Sequence, residues 1–213
     1  MKYIKLFENF DSYDPYELMM IPPNKKAEMI IEEIEKDDKA DLKLVSDLIA
    51  LGADLEWIDE SGMTALLVCA YHNHPEILRM LIDAGADLNI QGESGLTALN
   101  MCAKWNHPEI MRMLIDAGAD VNLRCERGST ALHDCARSNR LEIARMLIEA
   151  GADVNIQNNH GYTPLHYCTY PIDSIELTQM LIDAGADKTI PNNNGSLPYE
   201  LASSQELKKL LKP

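Results

Sequence analysis

The apolar residues of this chain fall into short helical stripes of two alternating kinds. In residues 77–83, Ile77, Leu78, Met80, Leu81 and Ile82 leave only Arg79 and Asp83 plainly polar. A stripe that wide predicts a helix buried on both flanks and open only at its back. Met80, Met113, Met146 and Met180 repeat within such helices and are expected as core fillers. Between them lie first helices that open on Thr64, Thr97, Thr130 and Thr163, each placed to cap through its side-chain oxygen. Pro164 sits one residue inside, where its missing N–H costs nothing. Leu66, Leu99, Leu132 and Leu165 follow and are expected to point inward.

The pattern weakens at both ends. After Asn24, a candidate cap, Ala27, Ile30, Ile31 and Ile34 recur at helical spacing while Lys25, Glu28, Glu32 and Glu35 face water. A second helix over residues 41–50 packs Leu44, Val45, Leu48 and Ile49. The run Glu32-Glu33-Ile34-Glu35 with Asp37-Asp38 reads as the solvated face of a terminal cap, with an acidic partner-binding patch as the alternative. The last helix, residues 205–211, carries Lys208 and Lys209 and is followed by Lys212, suiting a helix C-terminus and a polar closing face.

Glycines punctuate the stripes at a fixed interval. Gly52, Gly85, Gly118, Gly151 and Gly185 each open Gly-Ala-Asp, with spacings of 33, 33, 33 and 34. A second series, Gly62, Gly95, Gly128, Gly161 and Gly195, keeps the same period, and four of these five precede Thr-Ala-Leu or Thr-Pro-Leu. A 33-residue period with a turn glycine, T-[AP]-L and a closing G-A-D resembles the ankyrin repeat over residues 24–213. The resemblance implies an all-α solenoid of paired antiparallel helices with β-turn fingers, capped at both ends. Residues 24–58 are then an N-terminal cap, residues 59–91, 92–124, 125–157 and 158–191 full repeats, and residues 192–213 a C-terminal cap. Repeat four carries one extra residue in Tyr170-Pro171-Ile172-Asp173-Ser174, which predicts a wider turn between its helices. Leu197 stands where the family has Thr, which would loosen the stacking of the last cap.

Residues 1–23 form an arm outside the period. Phe7 and Phe10 lie here beside Tyr3, Tyr13 and Tyr16, while Asp14-Pro15 and Pro22-Pro23 break any long helix. A short helix near residues 2–10 and an irregular arm are expected. The arm either folds back over the first repeat's apolar edge or docks on a partner as a linear motif. The opening MKYIKLFENF also resembles the starts of tailed-phage proteins.

Charge narrows the partners. The chain has 34 acidic and 19 basic residues, a net charge of −15. Such a surface repels phosphate backbones and anionic membranes, so direct nucleic-acid binding is disfavoured. No apolar run has the length of a membrane-spanning helix, and Met1-Lys2-Tyr3-Ile4-Lys5 lacks a signal-peptide core, so a cytoplasmic location is expected, the host's if the protein is phage-encoded.

Candidate chemistry is sparse. Cys69, Cys102, Cys135 and Cys168 follow the period, and equivalent positions in stacked helices lie too far apart for a disulfide. They are expected as small buried residues, whereas Cys125, opening a loop before Glu126-Arg127-Gly128, is expected to be accessible. His72, His74 and Glu76 share one turn without a further Cys or Asp at ligand spacing, so no metal is assigned. His133 and His166 occupy the T-[AP]-L-H position, where the family's His bonds to neighbouring loop backbone. No nucleophile elbow, P-loop or dinucleotide fingerprint is present. No catalysis, cofactor or small-molecule substrate is expected.

Recognition of another protein remains. In ankyrin proteins partners generally bind the concave face, built from the fingers and the exposed ends of the first helices. The matching finger positions are Glu60, Ser61 and Met63; Glu93, Ser94 and Leu96; Glu126, Arg127 and Ser129; and Asn159, His160 and Tyr162. The helix positions are Tyr71 and His72, Lys104 and Trp105, Arg137 and Ser138, and Tyr170. These residues differ from repeat to repeat where the scaffold repeats its text. Trp, Tyr and Arg dominate interface hot spots, which favours Tyr71, Trp105, Arg137, Tyr162 and Tyr170. Trp105 could instead merely pack on Tyr71, and Trp57 is expected beneath the first finger. The expectation is a non-catalytic scaffold that occludes, sequesters or tethers a protein partner. Two alternatives are a phage or parasite anti-defence inhibitor using the same face, and an acidic nucleic-acid mimic blocking a basic groove. Affinity falling steeply with salt would mark the mimic.

Overall fold

In the computed structural model, residues 15–36, 39–169 and 173–212 are described. Among them are thirteen α-helices and no strand. A short helix, α1 (Pro15–Met19), leads into α2 (Pro23–Ile34) and α3 (Leu42–Ala50). Four pairs follow: α4 (Ala65–His72) with α5 (Pro75–Asp83), α6 (Ala98–Trp105) with α7 (Pro108–Asp116), α8 (Ala131–Ser138) with α9 (Leu141–Glu149), and α10 (Pro164–Tyr167) with α11 (Ile175–Asp183). The shorter α12 (Pro198–Leu201) and α13 (Gln205–Leu211) close the stack.

The helices build two layers by nearest-neighbour packing. The row α2, α4, α6, α8, α10, α12 forms one layer and the row α3, α5, α7, α9, α11, α13 the other, with each pair joined across the layers. This is the quasi-one-dimensional arrangement that a repeated text dictates. One continuous core runs from Leu18 to Leu211. Leu66, Leu99, Leu132 and Leu165 lie inside it, as do all four periodic cysteines. Leu18 and Ile21 join that core, so the described end of the leader covers apolar surface. The helix expected near residues 2–10 lies outside the described residues.

Local chemistry explains the joints. The Thr64 hydroxyl accepts from the Leu67 N–H at 3.4 Å, and Thr97 forms a reciprocal cap with Asn100. Asn73, Asn106 and Asn139 end α4, α6 and α8 at φ of 63°, 64° and 53°, a left-handed region that Asn tolerates. The next N–H in each case, from His74, His107 and Arg140, donates back to the carbonyl of Cys69, Cys102 or Cys135. In the fourth repeat the Ser174 N–H makes this bond to Cys168 at 3.0 Å, so the extra residue is accommodated within the turn.

Several expectations are corrected. Helix α2 starts at Pro23 with Pro22 at the cap position, and Asn24 lies inside its first turn; the fixed φ of proline starts the helix instead. Glu33 is not on a solvated face. It is buried, accepts from the Asp41 N–H at 2.8 Å and pairs with Lys36, so its carboxylate closes the entry to α3. Met80, Met113, Met146 and Met180 are half-buried at the edge of the core and do not fill its centre. The C-terminal cap stacks despite Leu197, because the Glu200 carboxylate accepts the Leu197 N–H at 2.8 Å and α12 packs on α10. Trp57 is half-buried against the core.

Candidate functional site

The loops between repeats fold back as fingers because one hydrogen bond recurs. The N–H of Asp59, Gly92, Cys125, Asn158 and Asn192 donates to the carbonyl four residues on, at 2.9, 3.0, 2.9, 2.8 and 2.9 Å. Where that first residue is Asp59, Asn158 or Asn192, its side-chain oxygen also accepts the N–H groups two and four residues later. Gly92 and Cys125 have no such side chain, and in the Gly92 finger Ser94 takes φ 59°.

Neighbouring fingers are tied by backbone. Glu126 N–H donates to Ser94 C=O, Asn159 to Arg127 and Asn193 to His160, each at 3.0 Å. At the first junction Glu93 N–H reaches Gly62 C=O at 3.2 Å, one residue out of step with the others. Such close approach requires glycine at the bend: a Cβ on Gly161, whose φ is +75°, would stand 2.5 Å from the Asn193 nitrogen.

Fingers and first helices enclose a groove of about 680 Å³. Ser61, Met63, Glu93, Ser94, Leu96, Arg127, Ser129 and His160 line it from the fingers. Tyr71, His72, Lys104, Trp105 and Arg137 line it from the ends of α4, α6 and α8. Glu60, Glu126, Asn159, Tyr162 and Ser138 do not. The Glu60 and Glu126 side chains are exposed to solvent, and the Asn159 amide donates to the Glu126 carbonyl of the preceding finger at 2.7 Å. Tyr162 is half-buried, with ring centroids 5.3 Å from His166 and 5.5 Å from Tyr167. Ser138, the last residue of α8, is half-buried. Tyr170 lies outside the described residues.

The groove is also lined by residues outside the fingertips and helix ends. Val68, Met101, Asp134 and Tyr167 form its floor from the inner turns of the first helices, with Asn100 and His133 beside them. Asp59, Cys125 and Asn158 contribute from finger bases, and Glu35 from the end of α2. Both groups vary from repeat to repeat in the text, the same signal that marked the fingertips. Cys125 is buried, not accessible, because the first residue of each finger turns inward beneath the bend.

The floor is polar in its second half. Asp134 accepts from the Asn100 amide at 3.0 Å and from Arg137 at 3.0 Å, and burial raises its carboxyl above the ordinary range. His133 joins the Thr130 cap through Nδ1, and its Nε2 lies 3.1 Å from the Tyr162 carbonyl; burial pulls its pKa down to about 4. His166 repeats the arrangement with Thr163 and the Ser196 carbonyl, and burial lowers it too. These histidines are built into the scaffold through both ring nitrogens. Burial pushes the thiols of Cys69, Cys102, Cys135 and Cys168 up, the last to about 12, far from the thiolate form that reacts. Among the described residues, no three His, Cys, Asp or Glu side chains are grouped to hold a metal, and no helix is long and apolar enough to cross a membrane.

Family descriptions of ankyrin repeats match residues 36–125 in a three-copy form, 114–168 in a many-copy form and 160–193 as a single repeat. The chain belongs to the ankyrin-repeat family. No curated protein matches it. Ankyrin repeats are generally protein–protein interaction modules without catalytic activity. In this ankyrin stack thirteen of the nineteen residues singled out for departing from the repeated text line one groove.

Proposed function

We propose that this ankyrin protein is a non-catalytic scaffold that binds another protein along its concave face, through the fingers and the ends of α4, α6 and α8, with residues 24–213 acting as one unit. One observation carries the reading. Thirteen of the residues singled out for varying between repeats line a single groove, among them Tyr71, Trp105, Arg127 and Arg137. Trp, Tyr and Arg are the residue types that supply most binding energy at interfaces.

The fingers are held before any partner arrives, by the recurring backbone bonds within and between them. A preformed surface loses little ordering entropy on binding, which suits occlusion or tethering. Affinity purification from native cells, with wild-type and Trp105→Ala baits side by side, tests the reading. The wild type recovers a partner that the variant loses. Equal recovery by both baits would show that the face is wrong.

A further inference from the structure

Charge is divided along the groove. The lining contributed by α2 and the first two fingers carries Glu35, Asp59 and Glu93 over an apolar floor that includes Val68. The lining contributed by α6, the third finger and α8 carries Lys104, Arg127 and Arg137. The one carboxylate among these cations, Asp134, is already engaged by Asn100 and Arg137 at 3.0 Å each. Between the two regions the Tyr71 and Trp105 rings meet edge to face, with the Lys104 ammonium 5.2 Å from the Trp105 ring centroid.

A uniformly basic ligand would meet the three cations of the second region, and a polyanion such as nucleic acid would meet the carboxylates of the first. Among charged ligands, only one with both signs in the matching order avoids like-charge contact, and it gains opposite-charge contacts that a neutral ligand lacks. We propose that the groove takes one extended segment of a partner protein, bearing a basic side chain over Glu35, Asp59 and Glu93, an apolar side chain on the Tyr71–Trp105 pair, and a carboxylate against Lys104, Arg127 and Arg137. This rests on the concave-face reading above and adds the chemistry of the occupant. Aromatic anchors supply affinity, and the two charged ends fix register.

Selection of a random linear peptide library on the full-length protein tests the proposal, with thermal melting showing that each variant is folded. Peptides enriched on the wild type carry a basic and an acidic residue on opposite sides of an apolar or aromatic one. The pair Glu35→Lys and Glu93→Lys removes the preference for the basic residue and leaves the acidic one. The pair Lys104→Glu and Arg127→Glu does the reverse. Each pair weakens the best wild-type peptide about tenfold, the scale of a few rim charge contacts. Enrichment of peptides of one sign only, or loss of both preferences with either pair, overturns the proposal. If enriched peptides are indifferent to charge but are lost with Trp105→Ala, the concave-face reading stands and this one fails. If nothing is enriched, or Trp105→Ala changes nothing, both fail.

Discussion

Tyr71 and Trp105 come from successive first helices, yet their rings meet edge to face at 5.3 Å and 75° while 44% and 45% of their surfaces stay in solvent. Packing of Trp105 on Tyr71 and presentation of Trp105 to a partner are therefore compatible. Each ring packs on the other where both line the groove. Trp105→Ala should weaken partner binding by about 2 kcal/mol or more. The same change should cost about 1 kcal/mol of stability, the scale of one aromatic pair. Calorimetric titration with the captured partner and a urea melt measure the two separately.

Asn100 serves two structures at once. It completes the Thr97 cap, and its amide donates to Asp134. The preceding repeat has Leu67 at this position, so Asn100→Leu is sterically plausible. It takes the amide donor from Asp134 Oδ2, with Arg137 still on Oδ1, and should destabilise by about 1–3 kcal/mol. Adding Asp134→Ala should recover part of that loss, because the poorly satisfied carboxylate is then gone. Chemical denaturation of the two single variants and the double variant checks the non-additivity.

Acid should loosen the stack through its buried histidines. His133 titrates near 4 when folded, against an ordinary value of 6.5, and His166 is lowered in the same direction by the same cause. As pH falls below about 6.5 the unfolded chain takes up these protons first, so stability present at neutral pH is lost progressively towards pH 4. Asp134, raised by burial, works with the opposite sign and offsets part of the loss. Melting temperatures between pH 7 and pH 4 should fall, and His133→Asn, which borrows the residue found at Asn100, should flatten the decline.

Two glycines with similar backbone angles should respond differently to alanine. Gly85 has φ +85° and open space where a Cβ would stand, so Gly85→Ala carries only the cost of a left-handed residue, about 1 kcal/mol. Gly161, at φ +75°, would also drive its Cβ against Asn193 of the next finger. Gly161→Ala should cost at least about 1 kcal/mol more, as overpacking does. Thermal unfolding of both variants decides it.

The period makes the scaffold legible in the sequence alone. Equivalent residues in a stack must make equivalent contacts, so Leu66, Leu99, Leu132 and Leu165 announce their burial by repeating. The groove is legible only at its rim. Asp134 and Asn100 vary between repeats as the fingertips do, but they sit on turns of α8 and α6 that also carry the core, where variation alone does not separate a groove floor from packing. Cys125 misleads for a related reason: a residue that opens a loop reads as exposed, whereas here it forms the base of a finger. The buried Glu33 follows from a bond to Asp41, eight residues on, which local periodicity does not register.

The most direct test of the concave-face account is hydrogen exchange on the protein with and without its captured partner. Exchange is expected to slow in residues 59–63, 92–96 and 125–129 and at the ends of α4, α6 and α8, with the solvent-facing backs of α5, α7 and α9 unchanged. Protection centred on α5, α7 and α9, with the fingers unaffected, would contradict it.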